Sequence, residues 1–421
     1  MTDLQLGYGD GTVSFSCDAE RFQVLSGNTH DEQPLTDQQI GEALARPIES
    51  EPFDELFMAG DSVLIVVSDA TRATASGQIL NVMVRRLIQN GVSPADIAII
   101  FATGIHRRVT AAEKIELLTP FIAQRIKTLD HDAHDASQQI SLGTTARGTA
   151  IEINRALKEF SHVVTIGGIG FHYFAGFTGG RKSICPGLAS TKTIEATHLL
   201  ALDGQTGGRR AGVGTALLEG NAVHEECEHV TTLVAPRFAV NTIVDESKRV
   251  VRLYAGDWKA AHRVACDDYL KSHSLPIQEL RDVVIVSCGG FPYDINLIQA
   301  HKALEMAVHA CREGGDIVLL AECRDGLGRA NFLQWFDEQN SSALVKRLFT
   351  DYEVNGQTAW SLLTKTERYR VHLVSSLPER DVSRMRMIPA KSVAAALSNI
   401  NGAGRGFIMP HGARLLPSLQ K

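Results

Sequence analysis

The cysteines of this 421-residue chain are few and scattered. There are seven, and no two of them form a C-x-x-C pair. An odd, dispersed set is not typical of a disulfide framework or of a cysteine-based zinc site. We therefore expect small core residues in a reducing compartment. The set comprises Cys17, Cys185, Cys227, Cys266, Cys288, Cys311 and Cys323.

The chain also lacks an excess of positive charge and a long apolar run. Its formal net charge is -6, whereas nucleic-acid binding needs a basic surface. No apolar stretch reaches about 18 residues, the length that predicts a membrane helix, and no basic start with an apolar run follows Met1. We expect a cytoplasmic protein with a small-molecule ligand and with neither a nucleic acid nor a membrane as partner.

What the chain does have is a regular alternation of β-branched runs and helical patterns. Strands are predicted at residues 63–67, 97–101 and 162–166, and helices at 76–90 and 111–119. Unbroken apolar strands of this kind suit a parallel sheet that helices cover on both faces.

The same rhythm restarts after residue 274, with strands predicted at 283–286 and 317–320 and a helix at 296–312. Because the chain is longer than one hydrophobic core usually allows, two domains are expected. The predicted fold class is α/β: two domains with Rossmann-like, mostly parallel sheets and an active site in the cleft between them. We predict a catalytic, cofactor-anchoring domain at 1–274 and a second α/β domain at 275–401, with segment 402–421 packing back on the first.

Polar and glycine residues follow the predicted strands. In open α/β sheets ligands bind beyond the carboxyl ends of the strands, so these residues are candidates for a site. In the first half they are Asp69, Arg72, Gly104, His106, Gly167, Gly168, Gly170 and His172; in the second half they are Gly289, Gly290, Glu322 and Asp325.

The segment from Gly167 to Ser183 is rich in both glycine and aromatic residues. Aromatic residues are not typical of a flexible linker, so the pattern favours a ligand cradle. The dinucleotide motif G-x-G-x-x-G fails at Tyr173, and the phosphate loop G-x-x-x-x-G-K-[ST] is broken by Arg181. A glycine loop with Arg181 and Lys182 still suits a phosphorylated cofactor. The alternative is a phosphate-loop-like nucleotide-binding protein or kinase.

Three histidine-containing segments are candidates for a metal site. A helix capped by Ser190 or Thr191 is predicted to run to Leu202 with His198 near its middle, and spacing alone makes this histidine weak as a ligand. The segment 130–135 is assigned no metal and resembles a solvated loop. The segment 224–229 lacks the i, i+4 histidine pair of a zinc helix and is interpreted as a charged helix face.

Taken together, the motifs resemble those of the nickel-dependent lactate racemase family and its relatives that act on other 2-hydroxy acids. The resemblance covers most of the chain and depends on the order of the motifs. The matching pieces are Asp69-x-Thr71-Arg72, Gly104-x-His106-Arg107, the segment from Phe171-His172 to Lys182, His198, and Gly289-Gly290-x-Pro292-x-Asp294 with Gln299 and Lys302.

This resemblance implies an isomerase with a nickel pincer nucleotide, a nicotinate-derived mononucleotide attached to Lys182 through a thioamide. Nickel is then held by the pincer and by His198, and cofactor-synthesis enzymes are transient partners. The remaining assignments are cofactor binding by Asp69, Thr71, Gly179, Gly180 and Arg181, and substrate binding by Arg72, Gln299, Lys302 and Ile298.

The resemblance also implies a mechanism of reversible, proton-coupled hydride transfer. His106 or His172 takes the hydroxyl proton of the substrate while the pincer takes the hydride, which gives a 2-keto acid. Rotation of the carbonyl before the hydride returns inverts the centre, so two histidines are needed. An imidazole pKa suits transfer in both directions near neutrality.

Two departures from the family pattern are present. Ala73-Thr74-Ala75 follows Arg72 where prolines are usual, which predicts a looser loop. Ile298 stands where lactate racemases have tyrosine. The loss of a hydroxyl near the substrate leaves the class of acid, a 2-hydroxy acid, in place and its side chain open.

Overall fold

The apolar β-branched runs form two six-stranded sheets, one in each of two units. A computed structural model of the chain describes residues 2–27, 32–400 and 404–420. The described parts of Met1–Asn28, Leu202–Arg209 and Ser272–Lys421 form unit 1, and those of Thr29–Ala201 and Arg210–Lys271 form unit 2. Both sheets are largely or wholly parallel. The α/β fold class is therefore confirmed.

The strands are β1 (Thr2–Tyr8), β2 (Gly11–Cys17), β3 (Phe22–Val24), β4 (Val63–Ser68), β5 (Ile97–Ala102), β6 (Lys127–Asp130), β7 (Gln139–Thr144), β8 (Ala150–Asn154), β9 (His162–Gly168), β10 (Phe171–His172), β11 (Gly176–Phe177), β12 (Leu202–Asp203), β13 (Gly208–Arg209), β14 (Phe238–Val244), β15 (Val250–Gly256), β16 (Ser274–Ile277), β17 (Arg281–Ser287), β18 (Cys311–Leu320), β19 (Arg370–Val374), β20 (Ile388–Ala390), β21 (Gly406–Met409) and β22 (Leu416–Leu419). The helices are α1 (Asp37–Ala45), α2 (Ser76–Gln89), α3 (Ala111–Leu117), α4 (Pro120–Arg125), α5 (Ala156–Glu159), α6 (Thr191–Leu199), α7 (Ala222–Val234), α8 (Ala260–His273), α9 (Leu297–Ala307), α10 (Ser341–Thr350), α11 (Val354–Arg368), α12 (Glu379–Arg384) and α13 (Val393–Ser398).

The sheet of unit 2 has the order β15-β14-β9-β4-β5-β6. All pairs are parallel except the edge pair β14–β15. Alternate residues of β4 enter two different cores: Val63, Ile65 and Val67 pack with α1 and α2, whereas Leu64 and Val66 pack with α5, α6 and α7. Burial on both faces explains why the strand is apolar throughout.

The sheet of unit 1 has the order β20-β19-β18-β17-β21-β3, and every pair in it is parallel. Its inner strands are again buried on both faces. The edge strand β3 and the inner strand β21 come from opposite ends of the chain. This sheet is therefore built from three separated parts of the sequence.

An N-terminal hairpin of β1 and β2 docks on the loop that follows β17. The backbone N–H of Phe291 donates to the carbonyl of Gly9 at 2.8 Å, and that of Gly9 donates to Asp294 Oδ2 at 2.8 Å. The hydroxyl of Ser287 donates to the carbonyl of Gly7 at 2.5 Å. A side chain on Gly7 would overlap the backbone of the loop. The first strands are thus fixed to unit 1.

This organisation differs from the predicted domain boundaries of 1–274 and 275–401. Residues 2–27 and 202–209 group with the C-terminal half. The packing of segment 402–421 on the predicted first domain stays a prediction: β21 pairs with β17 and also with the N-terminal strand β3, and β22 pairs with β16, all within unit 1. Residues 402, 403 and 421 lie outside the described residues. Backbone pairing across long sequence separations leaves no local signal, which is why the pattern missed it.

Three predicted helices end earlier than expected. The helix predicted at 296–312 is α9, after which β18 begins at Cys311 with a turn at Gly314 (φ +75°). The helix at 111–119 stops at Leu117, since Pro120 starts a separate helix in its first position. The helix carrying His198 ends at Leu199, before Leu202.

The seven cysteines are all buried and free, as predicted. Within the described ranges, no helix is long and apolar enough to cross a membrane.

Candidate active site

The loops at the carboxyl edge of the unit 2 sheet bring an aspartate and a histidine together. Asp69 follows β4, and His106 follows the neighbouring strand β5. His106 Nδ1 lies 2.7 Å from Asp69 Oδ2, with the imidazole 44% exposed and the carboxylate only 6%. A turn hydrogen bond from the His106 backbone N–H to Thr103 shapes this loop. The pair is therefore a buried carboxylate behind an accessible imidazole.

Asp69 is held in its ionised form. Burial alone would raise the pKa of Asp69, but the hydrogen bond and charge of His106, the Thr71 hydroxyl and the charge of Arg72 together lower it. Thr71 contributes both its backbone N–H, at 3.0 Å, and its hydroxyl, at 2.5 Å, to Asp69 Oδ1. Asp69 and Thr71, which are both predicted to bind the cofactor, are thus hydrogen-bonded to each other. Arg72 is exposed, and its guanidinium has no partner among the described side chains.

The glycine segment after β9 folds back against the end of that strand. A Cβ on Gly167 would lie 3.0 Å from the Cα of Gly179. Gly179 and Gly180 have positive φ values of 77° and 48°, which glycine adopts without strain. The backbone N–H of Gly180 donates to Asn241 Oδ1 on β14 at 2.9 Å. Close backbone packing therefore explains these glycines.

The ring of Phe174 is the centre on which three predicted site residues converge. The His172 ring lies edge-on with centroids 4.5 Å apart, and the His198 ring is 5.1 Å away. Lys182 Nζ lies 5.7 Å from the same centroid. Phe174 is buried. A strand end, a short 3-10 turn and a helix thus deliver His172, Lys182 and His198 to one place.

Lys182 has an unusual environment for a lysine. In the described part of the chain no carboxylate pairs with its Nζ. Burial lowers the pKa of Lys182 to about 7, and the charges of Arg181 and Arg72 act in the same direction. A substantial share of this amine is therefore uncharged near neutral pH, the form that acts as a nucleophile.

His198 is kept neutral. It lies near the end of α6, whose N-terminus is capped by Ser190 through a hydrogen bond from the Thr193 N–H at 3.3 Å, as predicted. Burial lowers the pKa of His198 to about 3, and the nearby charge of Lys182 contributes. A neutral imidazole is the form that ligates a metal.

His172 is held differently from His106. The backbone N–H of Ala175 donates to His172 Nδ1 at 3.2 Å. The ring also stacks on Tyr173, with centroids 5.4 Å apart and planes at 10°. Aromatic neighbours and a backbone donor therefore surround this histidine.

The side chain of Arg181, a predicted cofactor-binding residue, contacts groups of the protein itself. Its side chain is almost fully buried, where it donates to the Ala175 carbonyl at 2.6 Å and contacts His262 Nε2 at 2.9 Å. The segment ends in a 3-10 turn, Gly180–Ser183, rather than in the long helix that follows a phosphate loop. The geometry therefore gives the kinase alternative no support.

The predicted substrate residues of the second half lie on α9 in unit 1. Lys302 Nζ donates to Gln299 Oε1 at 2.6 Å, and Asn296 caps the helix by accepting from the Gln299 N–H at 3.0 Å. A Cβ on Gly328 would lie 3.2 Å from Ile298 Cδ1. The ammonium of Lys302 and the side-chain amide of Gln299 are therefore hydrogen-bonded to each other.

Two of the rejected metal segments are more buried than expected. His131 is buried, with Nε2 3.1 Å from the Ala189 carbonyl and Nδ1 3.1 Å from the amide of Asn154. His224 and Glu226 are buried on α7, so the interpretation as a charged face was wrong for these two. Across residues 2–27, 32–400 and 404–420, no group of three His, Cys, Asp or Glu side chains is arranged to hold a metal ion.

Two residues with a structural part in the site were missed from sequence. Phe174 was noted only as one of several aromatics, although it is the contact that the three site residues share. Asn241 was not singled out, although it binds the glycine loop. A lone amide within the apolar strand Phe238–Val244 was the available signal.

An amine with a lowered pKa, a neutral histidine and an aspartate-backed histidine at the edge of a parallel sheet define an α/β enzyme. Residues 8–208 match the lactate racemase N-terminal domain, and residues 278–405 match the lactate racemase C-terminal domain. The chain belongs to the lactate racemase family, and it is an isomerase of the racemase type.

Named relatives agree over most of the chain. It is 32% identical to a lactate racemase of Lactiplantibacillus plantarum over 79% of this chain and 77% of that protein. It is 28% identical to a lactate racemase of Thermoanaerobacterium thermosaccharolyticum over 99% of both. The lactate racemase apoprotein structure from the latter organism superposes with a TM-score of 0.90 at 27% identity, covering 99% of this chain and 100% of that one. A Thermotoga maritima structure with a TM-score of 0.69 at 19% identity, covering 92% of this chain and 100% of that one, shares the fold.

Proposed function

We propose that the chain is a racemase or epimerase of a 2-hydroxy acid that uses a nickel pincer nucleotide attached to Lys182. The observation that carries the proposal is the convergence of Lys182, His172 and His198 on the ring of Phe174. A single cofactor joined to the lysine and ligated by His198 then lies beside a histidine that handles protons. The cytoplasmic location expected from the sequence is part of the proposal.

The residues around Lys182 fit such a cofactor. The lowered pKa of Lys182 provides an uncharged amine for attachment, and the lowered pKa of His198 provides a neutral ligand. Gly179 and Gly180 hold a backbone loop beside the lysine. When bound, the nickel pincer nucleotide supplies an electrophilic carbon that takes a hydride from the substrate and gives it back.

The histidines manage the hydroxyl proton. The hydrogen on the chiral carbon of a 2-hydroxy carboxylate is a poor acid beside an existing negative charge, so direct deprotonation is costly. If His106 removes the hydroxyl proton at Nε2 while the C–H hydrogen leaves as hydride, the substrate becomes a neutral-carbonyl 2-keto acid. Asp69 stabilises the imidazolium that forms on His106. Rotation of the carbonyl then turns its oxygen toward His172. When the hydride returns to the carbon, His172 in its protonated form gives the oxygen a proton, and a proton passes from His106 to solvent and from solvent to His172 to restore both rings.

Charged side chains orient the substrate. Arg72 is exposed next to the Asp69 loop, and an arginine fork pairs well with a carboxylate. On α9 of unit 1, Gln299 and Lys302 remain predicted substrate residues and are hydrogen-bonded to each other. Ile298 replaces a hydroxyl-bearing residue, so we expect the accepted side chain to differ from that of lactate or to tolerate additional apolar bulk.

The test is a screen of single enantiomers. Protein made together with the cofactor-synthesis enzymes is incubated with each pure 2-hydroxy acid, starting with lactate, and loss of optical rotation is followed. We expect racemisation of at least one acid, with the 2-keto acid never released in quantity. Net accumulation of a 2-keto acid without racemisation would contradict the proposal, since it would indicate a dehydrogenase.

A further inference from the structure

The two histidines assigned to proton transfer have opposite partners at the same ring nitrogen. A neutral imidazole carries its proton on one nitrogen and a lone pair on the other, and the partner of one nitrogen decides what the other offers. His106 and His172 both use Nδ1 for their hydrogen bond to the protein. The chemical nature of the two partners differs.

At His106 the partner is an acceptor. Asp69 is kept ionised by its surroundings, as its lowered pKa indicates, and an ionised carboxylate cannot donate. At 2.7 Å from Asp69 Oδ2, Nδ1 must therefore carry the proton. The lone pair of the neutral ring is then on Nε2, the nitrogen that does not face Asp69.

At His172 the partner is a donor. The backbone N–H of Ala175 points to Nδ1 at 3.2 Å, so that nitrogen supplies the lone pair. The proton of the neutral ring is then on Nε2. The flanking rings of Tyr173 and Phe174 fix the orientation of the imidazole. A half-turn of the ring would place Cδ2 where Nδ1 lies and would lose the hydrogen bond from Ala175.

We propose that Asp69 is a positioning residue that makes His106 the resting proton acceptor, and that His172 rests in the opposite tautomer as a hydrogen-bond donor. The roles in turnover depend on the proposed function, but the tautomers do not. When His106 gains a proton at Nε2, its charge is shared with Asp69. At His172 a second proton on Nδ1 would displace the N–H of Ala175. The two halves of the reaction are therefore chemically unequal.

The difference between the two directions of the reaction cannot appear in kcat/KM. Two enantiomers have equal free energy, so kcat/KM must be the same in both directions in any variant. We expect a difference in kcat, with a matching difference in KM. The charged groups that act on the Asp69–His106 pair are Arg72 and Arg107 in addition to the two partners.

The decisive experiment observes the rings without turnover. The full chain is labelled with 15N-histidine, and long-range proton–nitrogen spectra are recorded without cofactor at several pH values, with H106Q and H172Q used for assignment. We expect protonated Nδ1 for His106 and protonated Nε2 for His172. In D69N the Nδ1 proton of His106 loses its carboxylate acceptor, so we expect the share of the Nδ1-protonated tautomer of His106 to fall, while His172 keeps its signals.

A matched control separates charge from local packing. T71V removes one hydrogen bond to Asp69 but leaves the carboxylate, so the tautomer populations of His106 should change by less than half as much as in D69N. Identical tautomers in the two rings, or unchanged tautomer populations of His106 in D69N, would overturn the inference. Because the spectra need neither cofactor nor substrate, failure of the racemase assay would leave this result intact. In the active enzyme D69N should lower kcat, with partial recovery in D69E.

Discussion

The carboxyl edges of the two sheets use glycine in different ways. In unit 2 the glycines of the loop after β9 let Lys182 and His172 approach Phe174. In unit 1 Gly290 instead lies against the N-terminal hairpin, where a Cβ would meet the carbonyl oxygen of Gly9 at 2.8 Å. A glycine-rich loop after a strand is therefore not by itself a ligand site. The unit 2 edge also carries Lys182 and His198, whose pKa values burial lowers to about 7 and about 3.

The largest expected effect comes from replacing His106 and His172, the histidines of unit 2 that we propose transfer protons. We expect H106Q and H172Q each to lower kcat by about 10²- to 10⁴-fold, the usual contribution of a general acid or base. Nickel content should stay unchanged in both, whereas H198A should lose nickel. Metal analysis beside the racemase assay separates the roles, and equal nickel loss in all three variants would refute them.

The buried histidine His131 of unit 2 is expected to make the free energy of unfolding depend on pH. Burial lowers the pKa of His131 from 6.5 to about 4, so the folded state resists a proton that the unfolded state accepts. Its stabilising effect is complete above pH 6.5 and declines as the pH falls to about 4, by about 3 kcal/mol in total. H131Q should flatten the dependence of the unfolding free energy on pH in this window, as measured by urea titration. The exposed neighbour His134, changed to Gln, should leave that dependence as it is.

The structural use of glycine in unit 1 can be tested on its hairpin. In G7A the added methyl group overlaps the backbone of Gly289, so we expect a loss of about 1–3 kcal/mol in the unfolding free energy. Gly11 lies on the same hairpin with open space around its Cα, and G11A should change that free energy by less than about 0.5 kcal/mol. Similar losses in both variants would mean that docking on Gly289 is not the cause.

The smallest expected effect concerns substrate choice. We expect I298Y to raise kcat/KM for lactate relative to a 2-hydroxy acid with a larger apolar side chain by about tenfold, because one pocket residue contributes only about 1–3 kcal/mol to such a choice. Competition between the two acids in one assay measures the ratio directly. I298L keeps the apolar character and serves as the control; a tenfold shift there too would assign the effect to shape rather than to the hydroxyl.

Much of the fold was predictable because its signals are local. Apolar runs such as Val63–Val67 must be buried on both faces, and the structure confirms these strands. The residues that follow them then had to lie at one edge, which placed Asp69 beside His106. Long-range pairing left no such signal, so the strand partners of β3 and β21 were not predicted.

The chemistry of individual site residues was less predictable. Arg181 is a cation in a glycine loop, and nothing in the sequence indicates that its side chain turns inward to Ala175 and His262. The shift in the pKa of Lys182 depends on burial and on the charge of Arg72, which follows a different strand. Such effects are sums over neighbours in space, and one sequence does not list those neighbours.

The central claim is that the chemistry of this enzyme depends on a nickel cofactor covalently attached to Lys182. The most direct measurement is the intact mass, peptide map and nickel content of protein made together with the cofactor-synthesis enzymes, taken from the same sample as the racemase assay. We predict an adduct on Lys182, about one nickel per chain, and loss of the adduct and activity in K182A but not in K192A. Full racemase activity from protein with an unmodified Lys182 and no nickel would contradict the account.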